Sequence, residues 1–225
     1  MKKQFKQFAL ALFFAFGAVS FTHAQTLTLD DFSSGSYKKT LPTNKAVSDH
    51  NVQTGTMVGG SRDTFYIVCA QVPCNPAENP FAQSATVQIR PKKGRVPAAL
   101  VFSSGYKIVP DLQVFYGLAA QLQLDLTAYD RLRVTFDGLT QIVNFNLQLY
   151  SPTGNGQLGC NLPPLTALSF TEDFPLADFV PGTGTTIDLR NISLVALLTE
   201  SGEYAITRFE AVPASEPPAT FTCKG

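Results

Sequence analysis

The sequence predicts an all-β chain folded as a two-sheet antiparallel β-sandwich, a jelly roll. Three observations carry this. Beyond the first two dozen residues, apolar side chains recur at every second position instead of every third or fourth. The apolar runs are short and lie between clusters rich in Gly, Pro, Asn and Ser, the punctuation of strands joined by turns. Residues 25–225 suffice for one sizeable β domain and are short for two.

The start of the chain is different. Lys2, Lys3 and Lys6 precede residues 8–21, which carry no charge, and Thr22-His23-Ala24 supplies the small residues that a signal peptidase reads. Residues 1–24 are therefore expected to leave as a signal peptide. The product is expected to be secreted, periplasmic or held at the cell surface.

Strands are expected over 27–32, 64–69, 85–89, 98–102 and 112–116. The clearest alternation lies mid-chain. In 131–137, Leu132, Val134 and Phe136 point one way and Arg131, Arg133 and Thr135 the other. In 143–150, Val143, Phe145, Leu147 and Leu149 share a face, and Asn144, Asn146, Gln148 and Tyr150 share the opposite one. The short link through Gly138 suggests that these two strands pair as a hairpin. Residues 192–198 are apolar on both faces, as a central strand covered on both sides would be, and 204–212 is the last strand. Long loops are expected at 69–80 and 151–164. The sandwich spans 25–212, and 213–225 is an extended, Pro-rich tail.

Without Lys2, Lys3 and Lys6, 14 basic residues face 17 acidic ones, a net charge near −3. That balance supplies no field for phosphate, so nucleic acid is not an expected partner. No other apolar stretch reaches the roughly 20 residues of a membrane span. Four cysteines remain, and an even number in an exported chain favours disulfides. Cys69–Cys74 would close a small loop, and Cys160–Cys223 would clip the tail.

His50 is the only histidine after the signal, and neither a G-x-S-x-G elbow nor H-E-x-x-H is present. Carboxylates such as Asp130, Asp137, Glu172 and Asp173 include no pair that stands out for glycoside hydrolysis. Gly59-Gly60-Ser61-Arg62-Asp63 lacks the Gly-Lys-Ser/Thr ending of a phosphate loop. Its expected role is structural: a tight turn, with Arg62 or Asp63 in an ion pair or on backbone groups. The polar hairpin face, Arg131, Arg133, Asn144, Asn146, Gln148 and Tyr150, is the binding candidate. Amides and guanidinium groups suit sugar hydroxyls, and tyrosine offers an apolar face.

Residues 124–134 (LDLTAYDRLRV) resemble the D-L-S/T-x-Y-D-x-L-x-V segment of galactose-binding-like jelly rolls, a fold used by carbohydrate-binding modules. Residues 174–179 (FPLADF) and 206–212 (ITRFEAV) are similar to their late elements. Residues 29–32 (LDDF) and 57–63 (MVGGSRD) resemble exported bacterial proteins of the PEP-CTERM type, although 221–225 (FTCKG) is not such a sorting tail. The resemblance implies a glycan or cell-surface ligand. It also implies a structural calcium near the first and last strands, for which Asp30, Asp31 and Glu210 are the matching donors. The expected function is a non-enzymatic exported binding domain. The alternatives are a structural or adhesive surface or matrix protein and, after that, a secreted hydrolase.

Overall fold

The computed structural model of the protein describes residues 24–41, 47–68, 84–104, 110–200 and 202–224. Two sheets face each other. The strands are β1 (Leu27–Asp30), β2 (Tyr37–Leu41), β3 (Val47–Thr54), β4 (Ser61–Val68), β5 (Ala85–Arg90), β6 (Ala99–Ser103), β7 (Asp111–Tyr116), β8 (Arg131–Leu139), β9 (Val143–Ser151), β10 (Gly154–Leu162), β11 (Leu165–Pro175), β12 (Val180–Pro181), β13 (Leu194–Glu200), β14 (Glu203–Val212) and β15 (Phe221–Thr222). The first sheet runs β15-β11-β8-β14-β6-β5-β2, with β1 also on β14. The second runs β12-β10-β9-β13-β7-β4-β3. All pairs are antiparallel except the short β15, which lies parallel to β11. The all-β, two-sheet expectation therefore holds.

Alternation decides what each sheet buries. Inward positions of β8 (Leu132, Val134, Phe136) meet inward positions of β9 (Val143, Phe145, Leu147, Leu149), and all are fully buried. Aromatic rings cross the gap between sheets. Phe136 meets Phe145 edge-on at 5.3 Å, and Tyr66 meets Phe102 at 5.7 Å. Burying one such side chain contributes about 1.5–3 kcal/mol, and edge-to-face contact adds to it.

Two expectations fail here. β8 and β9 do not form a hairpin: β8 pairs with β11 and β14, and β9 with β10 and β13. The physical cause is a bulge. Leu139 opposes Tyr204 and Asp137 opposes Ala205, so Gly138, at φ 75°, is the extra residue. Such a bulge bends a strand, and here the chain leaves the first sheet for the second. The stretch expected as a loop at 151–164 is mostly strand. β9 turns at Pro152-Thr153 directly into β10. Glycines hide its alternation: Gly156 occupies an inward position where a Cβ would lie 2.1 Å from the Ile187 side chain.

β13 is central, between β7 and β9, as its apolar composition suggests. Its inner side is closed off, and so is Ala196 on its outer side, at 0% exposed. On its outer side Leu198 remains partly exposed. The tail, expected to be extended, instead opens on a turn in which Glu216 N donates to Pro213 O at 3.1 Å, and then joins the first sheet as β15.

Candidate functional site on the outer face of the second sheet

The registers place the outward side chains of the second sheet in rows that cross the strands. One row reads Asn146, Leu198, Gln113, Phe65 and His50 on β9, β13, β7, β4 and β3. A flanking row reads Gln157, Gln148, Ala196, Phe115, Asp63 and Val52 on β10, β9, β13, β7, β4 and β3. The other flank carries Asn144, Glu200, Asp111 and Ile67. At about 4.8 Å per strand, a row over six strands spans roughly 24 Å. Four of the six expected binding residues, Asn144, Asn146, Gln148 and Tyr150, project from this face.

One end of the face is aromatic. His50 stacks on Phe65 with centroids 4.0 Å apart and planes 5° from parallel, and Phe65 meets Phe115 edge-on at 5.5 Å. His50 Nε2 lies 3.0 Å from Asp63 Oδ1. Asp63 is 3% exposed, and its Oδ2 is buried without a hydrogen-bond partner. The other end is rich in amides. Tyr150 donates to Gln148 Oε1 at 2.6 Å, and Gln148 Nε2 donates to Gln157 at 3.4 Å. Asn146 Oδ1 is a second buried acceptor without a partner. Buried polar atoms in a folded chain are normally satisfied, and these two acceptors lie on the same face. Gly159 opposes Asn146, and a Cβ there would sit 2.8 Å from Asn146 Nδ2.

Between the two ends lie two adjoining depressions that share Leu198, Thr199 and Glu200. One, of about 210 Å³, is bounded by Asn144 and Asn146, and the other, of about 100 Å³, by Asp111 and Gln113. Burial, then the neighbouring Glu200, pushes the Asp111 carboxyl above its usual range. Among the described residues, no Lys or Arg projects from this face. Its formal charges are Asp63, Asp111 and Glu200, with His50 the one side chain able to carry positive charge.

Arg131 and Arg133 lie elsewhere. β8 belongs to the first sheet, and both arginines project from its outer side onto Asp173 of β11. Arg133 donates to both Asp173 oxygens at 2.7 and 3.0 Å and to Pro217 O at 2.7 Å. Arg131 Nε is 2.9 Å from Asp173 Oδ2, and its Nη2 donates to Glu216 O and Pro217 O. Asp173 also accepts Ala219 N at 2.7 Å. These arginines clamp the tail across the sheet. Sequence alternation gave their orientation correctly but not their sheet.

The carboxylates considered for hydrolysis do not assemble either. Glu172 faces the core and Asp173 the outside, because they are adjacent on one strand. Burial, with help from Asp173, lifts the Glu172 carboxyl to about 7. Asp130 pairs with Arg131, and Asp137 is exposed.

The expected calcium donors also separate. Asp30 points inward and is 1% exposed, and Arg62 holds its Oδ2 in a buried ion pair. Asp31 turns outward and caps the amide and hydroxyl of Ser33. Glu210 projects from the opposite side of the first sheet beside Arg208, because its neighbours Phe209 and Ala211 fill the core. The three carboxylates do not fit one ion. Arg62 itself fulfils the structural role expected of it. Gly59 and Gly60, both at φ 72°, make the tight turn before it.

Cys69 and Cys74 lie outside the described residues. Cys160 and Cys223 come together between the sheets, but both are free thiols in the structure, so the expected bond is not present. A hydrogen bond with Cys223, then burial, raises the Cys160 thiol far above its usual range.

No protein-family model and no curated protein matches the chain. Among solved structures it is similar to a family 11 carbohydrate-binding module of a cellulosomal cellulase of Clostridium thermocellum. That match has 12% identity and a TM-score of 0.44 over 86% of this chain and 97% of the other. A second family 11 module from Clostridium thermocellum, in complex with a β-1,3-1,4-mixed-linked tetrasaccharide, matches at 14% identity and a TM-score of 0.42 over 85% and 98%. An agarase matches at 14% identity and a TM-score of 0.39 over 85% of this chain, which spans 25% of the agarase.

Proposed function

We propose that the chain is an exported, non-catalytic glycan-binding domain whose ligand lies across the outer face of the second sheet. The supporting observation is the row from Asn146 to His50. Together with the flanking row it combines aromatic rings, amides and two buried acceptors without partners, Asn146 Oδ1 and Asp63 Oδ2. A sugar ring offers the complement: apolar C–H groups for the exposed parts of the stacked His50–Phe65 pair, and hydroxyl donors for Asn146 Oδ1 and Asp63 Oδ2. Export would remove residues 1–24. In an oxidising compartment, Cys160 and Cys223 would then join across the sheets, giving up two protons and two electrons to a disulfide-bearing oxidant. By the chain-entropy relation, closing a loop of roughly 60 residues contributes about 4 kcal/mol at most.

The test is glycan-array and isothermal titration binding by the secreted chain, repeated for Phe65→Ala and Asn146→Ala. Each variant is expected to keep its fold and lose affinity. One lost neutral hydrogen bond costs about 1 kcal/mol, roughly fivefold in Kd. Glycan affinity unchanged in both variants would place the ligand elsewhere. Non-reducing peptide mapping checks the cysteine bond, and N-terminal sequencing should find Gln25 first.

A further inference from the structure

Arg62 is completely buried, and four oxygens converge on its guanidinium. Nη1 donates to Asp30 Oδ2, Nε to Gln53 Oε1 at 2.9 Å, and Nη2 to Ser34 O at 3.2 Å and Gly35 O at 3.1 Å. The two side-chain acceptors are held in turn. Tyr116 donates to Asp30 Oδ2 at 2.9 Å, and Thr64 donates to Gln53 Oε1 at 2.9 Å. Asp30 Oδ1 accepts the amide of Phe32 at 2.7 Å and stabilises that residue at φ 56°. The Phe32 ring thereby covers the guanidinium, 5.3 Å from its central carbon. Gly35, at φ 70°, lets its carbonyl approach; a Cβ there would lie 2.7 Å from Gln53.

We propose that this guanidinium is the resident cation of the fold. It occupies an oxygen-lined cage beside β1, so the chain orders its N-terminal loop without a metal ion. The cage holds one carboxylate, two backbone carbonyls and one amide oxygen, all acceptors. Left alone, these oxygens would be a buried negative cluster, which is costly. The planar fork of arginine matches several acceptors at fixed angles, as a lysine ammonium does not. A metal ion entering the same cage would meet the positive charge already there. Asp31 and Glu210 cannot create a separate site with Asp30, since one turns to Ser33 and the other lies across the sheet.

The arrangement also links the cage to the candidate face. Arg62 and Asp63 are adjacent on β4 and point to opposite sides, as do Gln53 and Val52 on β3.

The experiment is thermal unfolding of the secreted chain in chelator and in millimolar calcium, alongside Arg62→Ala and Arg62→Lys. The wild-type melting temperature should be the same in both buffers. Arg62→Ala breaks a buried pair and should melt about 10 °C lower. Millimolar guanidinium or calcium should raise the melting temperature of that variant, by entering the vacated cage, and leave the wild type unmoved. Arg62→Lys should recover only part of the loss. If Arg62→Ala does not fold, Arg62→Lys carries the same comparison, and the wild-type chelator result stands independently. Calcium-dependent melting of the wild type would overturn the proposal. So would an Arg62→Ala variant as stable as the wild type.

Discussion

Arg133→Ala separates a structural clamp from a ligand-binding arginine. Arg133 projects from the first sheet, where it makes two bonds to Asp173 and one to Pro217 O. Asp173 is 1% exposed, so its charge depends on partners. Losing Arg133 does not orphan it, because Arg131 Nε and Ala219 N remain within 2.9 Å. The cost should therefore fall below the 3–5 kcal/mol of a fully unpaired buried charge, at about 2–3 kcal/mol. For a domain of this size, that lowers the melting temperature by roughly 4–12 °C. Asp173→Ala should cost more, since it strips both arginines and Ala219 N at once. Calorimetry gives the stability change, and titration with a bound glycan gives the affinity. Affinity should stay within twofold of wild type. An unchanged melting temperature together with lost binding would refute the assignment of Arg133 to the tail.

Three further outcomes are expected. Glu172 is an acid whose folded pKa, about 7, exceeds its ordinary value of 4.5. Its contribution to stability is therefore fully present below about pH 4.5 and is lost as pH rises through 7. Glu172→Gln, which stays neutral, should melt higher than wild type at pH 8, by on the order of 1–2 kcal/mol, and match it near pH 4; equal melting at pH 8 would count against the burial argument. Gly159→Ala should displace the Asn146 amide and weaken glycan binding by about 1 kcal/mol, with little change in melting temperature; titration calorimetry would detect it. A polyuronate should bind at least about tenfold more weakly than a neutral polymer at low salt, about 1.4 kcal/mol, because Asp63, Asp111 and Glu200 repel it. The gap should narrow as salt is added, and equal affinities at low salt would exclude charge selection.

Much of the architecture was readable because burial imposes period two on strands. The inward set of Val143, Phe145, Leu147 and Leu149 and the outward set of Asn144, Asn146, Gln148 and Tyr150 lie as alternation predicts. What alternation cannot specify is the partner strand. Arg131 and Asn144 point outward in both the expected and the observed arrangement, yet from opposite sheets. The bulge at Gly138 makes that difference, and a single glycine carries no sheet label. β10 was hidden for another reason: Gly154, Gly156 and Gly159 leave close-approach gaps where a strand would show side chains. Phe65 and Phe115 were missed as neighbours because β4 and β7 are distant in sequence, and His50 because β3 shows no apolar alternation. The signal for the two phenylalanines was alternation, in 61–67, where Phe65 is offset from Thr64 and Tyr66, and in 111–116, where Phe115 is offset from Val114 and Tyr116. The calcium donors, implied by the resemblance, lie apart because Asp30 turns inward to Arg62, Asp31 turns to Ser33, and Glu210 leaves the outer side of β14.

The central claim is that the outer face of the second sheet holds a glycan. Amide chemical-shift mapping during titration with a soluble neutral oligosaccharide tests it most directly. Saturable shifts are expected at His50, Phe65, Gln113, Phe115, Asn146 and Gln148, and none at Arg133, Asp173 or Ala205 on the first sheet. Shifts confined to the first sheet, with the row from Asn146 to His50 unmoved, would contradict it.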